Sequence, residues 1–378
     1  MASARNFGTL AAKNTQEQSP AGPPDLTKPK VVFLSRKWPP AVGGMETYAL
    51  RLTDELRERT ELVTVVLPGR DNGQPPGAAS LIVFGATAWF RRLLRHRDAD
   101  VIHICDMASW PLALLPGRAA VVLSAHGTDV AYPARGTLKG RAYGAYLRLG
   151  ARLLRRPSVI ANSSATETAA RSFGFARTRV VPLATDFIRQ DVEPDLGRLL
   201  FSGRLTPRKG LRWFVDIVLD RLPPHIGLDV AGPIWDRSEA RALDHPRVRH
   251  LGHLDQADLA RAYARALAVI VPNIKVPTRE FEGFGLVAVE AAAAGGVVLA
   301  SDDGGLVEAV RDGQTGVTLP AGDADAWVAA IERVIAWTTG ERRAFTDHAS
   351  QTATSFYSWN RVADDTLAAY AGAGGHSQ

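Results

Sequence analysis

Two acidic side chains in the stretch EFEGFGLVAVEAAAAGG have the residue type and spacing to bind a polar ligand. Glu282 lies in a Gly-Phe-Gly turn, and Glu290 follows eight residues later, in an apolar run that otherwise favours burial. A carboxylate accepts hydrogen bonds from two vicinal hydroxyls at once, and charged hydrogen bonds of this kind are the strong ones. Acids at these positions can therefore hold ligand hydroxyls; the alternative is two surface glutamates on one helix.

Three glycine-bearing turns, each after a predicted strand, offer backbone N–H groups to a ligand. They are SRKWPPAVGGMETYA with Gly43 and Gly44, FSGRLTPRKGLRWF with Arg204 and Lys209, and FEGFGLVAVE. Glycine lets backbone N–H groups approach a ligand closely, and a following helix N-terminus favours negative charge. None matches the dinucleotide or P-loop pattern, so each alone is typical of an ordinary turn. Together in one cleft, with an arginine and a lysine beside one of them, they favour a diphosphate clamp.

The elements that must position these turns alternate between strand and helix from residue 31 onward. Strands such as VVFLS and AVVLSA alternate with amphipathic helices such as METYALRLTDELRER, which predicts βαβ units and parallel sheets. The alternation breaks at the polar stretch TDFIRQDVEPDLG and restarts at RLLFSG. We therefore expect an α/β fold of two doubly wound, Rossmann-like domains, with ligands beyond the strand ends in the cleft between them.

The expected boundaries follow from the same pattern. The first residues are polar and proline-rich and predict a disordered tail, while the aromatic-rich stretch YSWNRVADDTLAAYAG predicts a C-terminal helix that packs back on the first domain. The four units are the tail 1–28, a first domain 29–190, a second domain 191–355 and the helix 356–372.

The composition is that of an ordinary globular enzyme, with 46% apolar and 22% charged residues among 378. No apolar run reaches the roughly 18 residues that span a bilayer, and the N-terminus has no pattern of a secretory signal. The single cysteine, Cys105, excludes an intrachain disulfide and a cysteine-rich zinc site. We expect a cytoplasmic location and no nucleic-acid partner.

The net charge of +6 has two explanations. Arginine is abundant along the whole chain, which favours a solvated basic surface over anionic ligands or a membrane. The stretches WFRRLLRHR (89–97) and YLRLGARLLRR (146–156) mix arginine with aromatic and leucine residues, as membrane-surface helices do. Ordinary solvated helices explain them as well and are favoured, while peripheral contact with the inner face of the membrane stays open.

The combined motifs resemble those of the family-4 glycosyltransferases, which have the GT-B fold of two facing Rossmann-like domains. Glu282 and Glu290 fit that family's pattern E-G-[FL]-G-x-x-x-x-E, and SGRLTPRKG is similar to its arginine and lysine turn. AHGTDV is similar to its His-Gly segment and PPAVGGMETY to its N-terminal glycine loop. The resemblance runs from about residue 30 to 372 and implies that acceptors bind the first domain and a nucleotide sugar the second.

The resemblance also implies roles for single residues. Glu290 would bind the ribose hydroxyls of the nucleotide, Glu282 the hydroxyls of the donor sugar, and His126 would approach the transferred sugar. Arg204 and Lys209 would neutralise the diphosphate as it leaves. Backbone N–H groups would contact the donor; they belong to Gly43, Gly44, Gly283, Phe284, Gly285 and Leu286. Asp129 would contact donor or acceptor, with a helix cap as an equal alternative.

The implied reaction moves a hexose from a nucleotide-diphosphate sugar to an acceptor hydroxyl, with retention and by a front-face mechanism. We expect no cofactor and no catalytic metal, because Asp98 and Asp100 precede a strand, whereas metal-binding carboxylates would follow one. A sugar-nucleotide epimerase or phosphorylase with the same fold is an alternative, although a phosphorylase needs a late lysine and the last one is Lys275. A non-catalytic sugar-nucleotide-binding protein is another. The candidate acceptors are a small molecule, a glycan and a lipid-linked sugar.

Overall fold

Two six-stranded parallel sheets form the frame of the protein. The computed structural model describes residues 28–41, 43–70, 76–95, 97–114 and 117–374. The predicted disordered tail, residues 1–28, lies outside the described residues except for Lys28.

The four central strands of the first sheet have mostly buried apolar sequences, as parallel sheets require, whereas its two edge strands are only partly buried. In chain order its strands are β1 Lys30–Ser35, β2 Glu61–Val66, β3 Val101–Ile104, β4 Ala120–Ala125, β5 Ser158–Ala161 and β6 Arg177–Val180. Their spatial order is β2-β1-β3-β4-β5-β6, and all pairs are parallel.

The second sheet has the doubly wound order of dinucleotide-binding domains. Its strands are β7 Arg198–Ser202, β8 Gly227–Ala231, β9 Val248–Gly252, β10 Val269–Val271, β11 Val298–Ser301 and β12 Val317–Leu319. They lie in the order β12-β11-β10-β7-β8-β9, so the direction of winding reverses between β7 and β10. Ligands of such sheets bind beyond the strand ends at this reversal point.

The helices lie in layers on both faces of the sheets. They are α1 Gly44–Arg57, α2 Ala78–Arg95, α3 Thr128–Ala131, α4 Leu138–Leu153, α5 Ser164–Ser172, α6 Leu211–Trp213, α7 Arg237–Ala240, α8 Gln256–Arg265, α9 Leu286–Ala294, α10 Leu306–Ala309, α11 Ala324–Ile335, α12 Thr339–Phe356 and α13 Trp359–Gly374. Short 3₁₀ turns include Met107–Ala113 and Pro207–Lys209. None of the described helices has the length and apolarity to cross a membrane.

The C-terminal helix α13 lies against α1, β4 and β5 of the first sheet. It begins at Trp359 rather than Tyr357, because the Ser358 hydroxyl accepts from the Arg361 backbone N–H at 3.4 Å, as an N-cap residue does. Near its end, the Tyr370 hydroxyl shares a 2.7 Å hydrogen bond with Nδ1 of the buried His103 in β3. Burial lowers the pKa of His103 to about 3, so its ring is neutral at physiological pH.

The predicted α/β class and the two doubly wound sheets are confirmed. The polar stretch 185–197 connects the sheets, as its composition indicated. The exact domain bounds, 29–190, 191–355 and 356–372, stay predictions.

Candidate active site

The carboxyl ends of the two sheets face each other, and backbone meets backbone where they touch. A Cβ atom added at Gly127, after β4, would lie 2.3 Å from the Cα atom of Gly283, before α9. Gly127 also has a φ of 85°, a backbone angle that residues other than glycine rarely adopt. This close approach therefore needs glycine on both sides and brings the neighbouring His126 and Glu282 loops together.

A cavity of about 250 Å³ lies beside this contact. Its walls include Gly43, Gly44 and Tyr48 from the first domain and Leu286 and Glu290 from the second. The structure thus brings together four residues that the sequence assigned to donor binding. The two glycines are more than half the chain away from Leu286 and Glu290 in sequence, and the two pairs meet only because the two sheets face each other.

The turn before α9 is held in place by a second glycine pair. Gly285 is the N-cap of α9 with a φ of 97°, and the backbone N–H of Gly305 donates to the Glu282 carbonyl at 2.7 Å. A Cβ atom at Gly305 would lie 2.3 Å from the Gly283 carbonyl oxygen. Because the first N–H groups of a helix have no intrahelical partner, the N-terminus of α9 is suited to donate backbone hydrogen bonds to a ligand in the cleft.

Glu282 is the centre of a charged cluster at the reversal point of the second sheet. Its Oε2 atom accepts from Lys209 Nζ at 2.5 Å, Arg208 Nη1 at 2.7 Å and Asn273 Nδ2 at 3.0 Å. Burial opposes ionisation, but the charges of Lys209 and Arg208 outweigh it and hold the pKa of Glu282 well below its usual range. Burial likewise lowers the pKa of Lys209, and the Glu282 charge opposes this change. Two cations against one carboxylate leave the cluster with excess positive charge.

Glu290 has a different environment. Its Oε2 atom accepts from the Tyr263 hydroxyl at 3.2 Å, and Glu290 forms no salt bridge within the described part of the chain. Burial raises the pKa of Glu290 to about 7, against the smaller opposite effects of the Tyr263 hydrogen bond and the Lys209 charge. The two glutamates therefore differ: one is firmly ionised and the other is close to its titration point at neutral pH.

The raised pKa of Glu290 predicts a pH-dependent stability. The folded chain binds this proton more tightly than the unfolded chain, where the ordinary value of 4.5 applies. The resulting stabilisation is complete below about pH 4.5 and is lost as the pH rises through about 7. Between about pH 5 and 8, the wild type should lose about 1–3 kcal/mol of unfolding free energy relative to Glu290→Gln. Urea unfolding of both proteins at each pH measures this difference in unfolding free energy. A difference that does not change with pH would contradict the prediction.

His126 and Asp129 lie at the carboxyl end of β4. His126 Nε2 donates to the Cys105 carbonyl at 2.9 Å, which fixes the ring in the cleft. The Asp129 oxygens accept the backbone N–H groups of His126 at 2.9 Å and Met107 at 3.2 Å. Burial raises the pKa of Asp129, and the His126 charge opposes that shift. Asp129 thus ties two loops of the first domain together, and its contact with a ligand stays a prediction.

Arg204 occupies the rim of the site rather than the Glu282 cluster. Its guanidinium lies 4.5 Å from the centre of the Trp235 ring, and its side chain is exposed.

The arginine that contacts Glu282 is Arg208, which was not predicted from the sequence although it directly precedes Lys209. Asn273 was not predicted either, although its position directly after the apolar strand run AVIVP could have indicated a site residue. For Tyr263, inside an amphipathic helix, no sequence signal was available.

Two further sequence expectations concern metals and cysteine. Asp98 and Asp100 bind the side chain and the backbone N–H of Lys30, at 2.6 and 2.8 Å, before β3. Within the described ranges, no three His, Cys, Asp or Glu side chains are grouped so as to hold a metal ion. Cys105 is fully buried in the core.

Two family models match the chain, one for each sheet. The model described as Glycosyltransferase Family 4 matches residues 42–187, and the model described as Glycosyl transferases group 1 matches residues 197–336. The chain belongs to the family-4 glycosyltransferases. The matched regions include all three glycine-bearing turns and the Glu282–Glu290 motif, so this family's sequence pattern coincides with the geometry described above.

Curated relatives match over part of their length. A glycogen synthase of Mycobacterium tuberculosis is 37% identical over 180 residues, which is 46% of this chain and 42% of the relative. A D-inositol 3-phosphate glycosyltransferase of a Nocardioides species is 31% identical over 207 residues, 48% of this chain and 43% of the relative. The chain matches less than half the length of each.

Solved structures share the fold over nearly the whole chain. Sucrose-phosphate synthase from Thermosynechococcus elongatus has a TM-score of 0.70 at 20% identity, covering 90% of this chain and 98% of that one. Anabaena HepE in complex with UDP has a TM-score of 0.66 at 18% identity, covering 91% of this chain and 100% of that one. These neighbours support the GT-B architecture.

Proposed function

We propose that this protein is a glycosyltransferase that moves a hexose from a nucleotide-diphosphate sugar to an acceptor hydroxyl with retention of configuration. The observation that carries the proposal is the Glu282 cluster, because it puts a carboxylate and two cations beside the N-terminus of α9. A sugar diphosphate needs both kinds of group within a few ångströms. The names of the curated relatives, both sugar-handling enzymes, support the same class of reaction.

The residues have separate roles in this proposal. Lys209 and Arg208 neutralise the diphosphate as charge develops on the leaving oxygen. Glu282 accepts hydrogen bonds from the hydroxyls of the donor sugar through Oε1, an atom that makes no hydrogen bond within the described residues. Glu290 accepts hydrogen bonds from the ribose hydroxyls. His126 contacts the transferred sugar from the opposite wall. Arg204 assists at the rim of the diphosphate site.

The proposed chemistry is a front-face displacement. The bond between the anomeric carbon and the phosphate oxygen breaks first, which gives an oxocarbenium-like state. The acceptor oxygen then bonds to the same face of that carbon, and its proton passes to the departing phosphate oxygen. Lys209 and Arg208 supply positive charge at the leaving group, so we propose that no metal is required.

We predict that a nucleoside diphosphate stabilises the folded protein without added metal. A ligand that binds only the folded state raises stability by mass action, by about 2.7 kcal/mol at 100 times its Kd. Thermal unfolding in chelator with UDP, GDP or ADP measures this, and the free nucleosides are the matched controls. UDP is tried first, because one structural neighbour was solved with it. Equal melting temperatures with and without every diphosphate would contradict the proposed donor site.

Product analysis separates the alternatives. A transferase releases nucleoside diphosphate only as fast as sugar appears on an added acceptor, apart from slow hydrolysis. An epimerase would change the sugar without releasing it, and a phosphorylase would need inorganic phosphate. Candidate acceptors are small molecules, glycans and lipid-linked sugars, tested in parallel with the same donor.

A further inference from the structure

Helix α2 presents apolar side chains to solvent. Ile82 and Val83 are 74% and 64% exposed, and Trp89 and Phe90 are 45% and 59% exposed. The opposite face of α2 is held on the first sheet by the buried Phe84. Residues 78–90 contain no charged side chain. A solvated surface helix has a polar outer face, so this helix lacks the pattern that exposure to water alone would favour.

Helix α4 combines exposed leucines with unpaired cations. Leu149 and Leu153 are about half exposed, and residues 138–156 contain no acidic side chain. The segment contains six cations, and none of them forms a salt bridge within the part of the chain that the structure describes; they are Lys139, Arg141, Arg148, Arg152, Arg155 and Arg156. Six uncompensated positive charges on one segment attract an anionic surface.

The two helices belong to one layer of the molecule. Both pack on the same face of the first sheet and contact the 3₁₀ turn Met107–Ala113 between them. Leu114, which ends that turn, is itself 46% exposed. We call the exposed side chains of α2, Leu114 and α4 the α2–α4 face.

We propose that the α2–α4 face docks on an anionic lipid bilayer. Apolar and aromatic side chains enter the boundary between headgroups and acyl chains, while arginines bind the anionic headgroups. A nucleic acid would satisfy the arginines but leave Ile82 and Phe90 in water. The inference stands apart from the proposed transfer reaction, since it uses no residue of the cleft.

Two other occupants fit the charges less well. A symmetric contact between two copies would place the cations of one α4 against those of the other, because the same patch meets itself. The chain's own residues 1–27 contain two basic and two acidic side chains, so they bring no net negative charge to the face. Charge complementarity therefore favours an external anionic surface.

The test is flotation of the full-length protein with vesicles of phosphatidylcholine alone or mixed with phosphatidylglycerol. We expect binding to the anionic vesicles only, weakened by salt. Arg141→Gln with Arg152→Gln should weaken binding by about 25-fold, at about fivefold for each charge. Ile82→Ser with Phe90→Ser should weaken it by about tenfold or more. Each double variant is first checked for unchanged circular dichroism and melting temperature.

Matched controls lie in the second domain. Ile217→Ser removes a 46% exposed apolar side chain, and Arg333→Gln removes an exposed cation of α11; both should bind like the wild type. No binding to either vesicle, or equal binding by all variants, overturns the proposal. A wild-type dimer that becomes a monomer when Ile82 and Phe90 are replaced also overturns the proposal, because the face would then be a contact between two copies. Binding that appears only after residues 1–27 are removed also overturns the proposal for the full-length chain, because that segment would then be the occupant of the face.

Discussion

Replacing Lys209 by alanine should lower kcat by about 10²–10³-fold, the usual effect of losing one group that stabilises developing charge. Lys209 is buried and bound to Glu282, so its ammonium group is fixed in place before the donor arrives. Arg208→Ala should have a similar effect, because Arg208 contacts the same carboxylate oxygen. Single-turnover kinetics with saturating donor measure the chemical step for each variant.

A matched control lies a few residues along the chain. Arg212 is exposed and pairs with Asp216 at 3.2 Å, so Arg212→Ala removes a cation of the same turn region without touching the site. Its turnover should equal that of the wild type. Arg204→Ala tests the sequence prediction for that residue separately. Wild-type turnover in both the Lys209 and the Arg208 variant would show that these cations are structural and do not stabilise the leaving diphosphate.

The two glutamates should have separable effects on diphosphate binding. At pH 8, above the pKa of Glu290, Glu290→Ala should weaken the binding of free nucleoside diphosphate by about tenfold or more. A charged hydrogen bond contributes about 1.5–3 kcal/mol, and the ribose is present in that ligand. Glu282→Ala should not weaken it, since the sugar is absent. The structure adds that removing the carboxylate frees Lys209 and Arg208 for the phosphates, so this variant should bind the diphosphate more tightly.

Calorimetric titration with the diphosphate, beside a transfer assay, gives a two-by-two result. Both variants should lose transfer activity, and only Glu290→Ala should lose diphosphate affinity. Glu332→Ala, which removes an exposed glutamate of α11, is the control for a general effect of charge. Equal weakening of diphosphate binding by the Glu282 and Glu290 variants would refute the division between sugar and ribose. Full transfer activity in both would mean that the glutamates serve only the fold.

Local sequence determined the elements and the edge of the sheets at which the site lies. Buried strand runs, helix periodicity and glycine turns are set by interactions between residues a few positions apart, so the sequence shows them directly. The rule that ligands bind at carboxyl strand ends then placed Glu282, Glu290, Lys209 and the paired Gly43 and Gly44 in one cleft.

Only the tertiary structure decided which side chains meet inside that cleft. Arg208 reaches Glu282 across 74 residues, and His103 meets Tyr370 across 267. Such contacts depend on the spatial order of the strands and on how closely the two sheets approach, and no local pattern encodes either. The same holds for the two pKa shifts. Glu282 and Glu290 are the same residue type on one short segment, but their surroundings differ. The charges of Lys209 and Arg208 hold the pKa of Glu282 below its usual range, whereas burial raises the pKa of Glu290 to about 7.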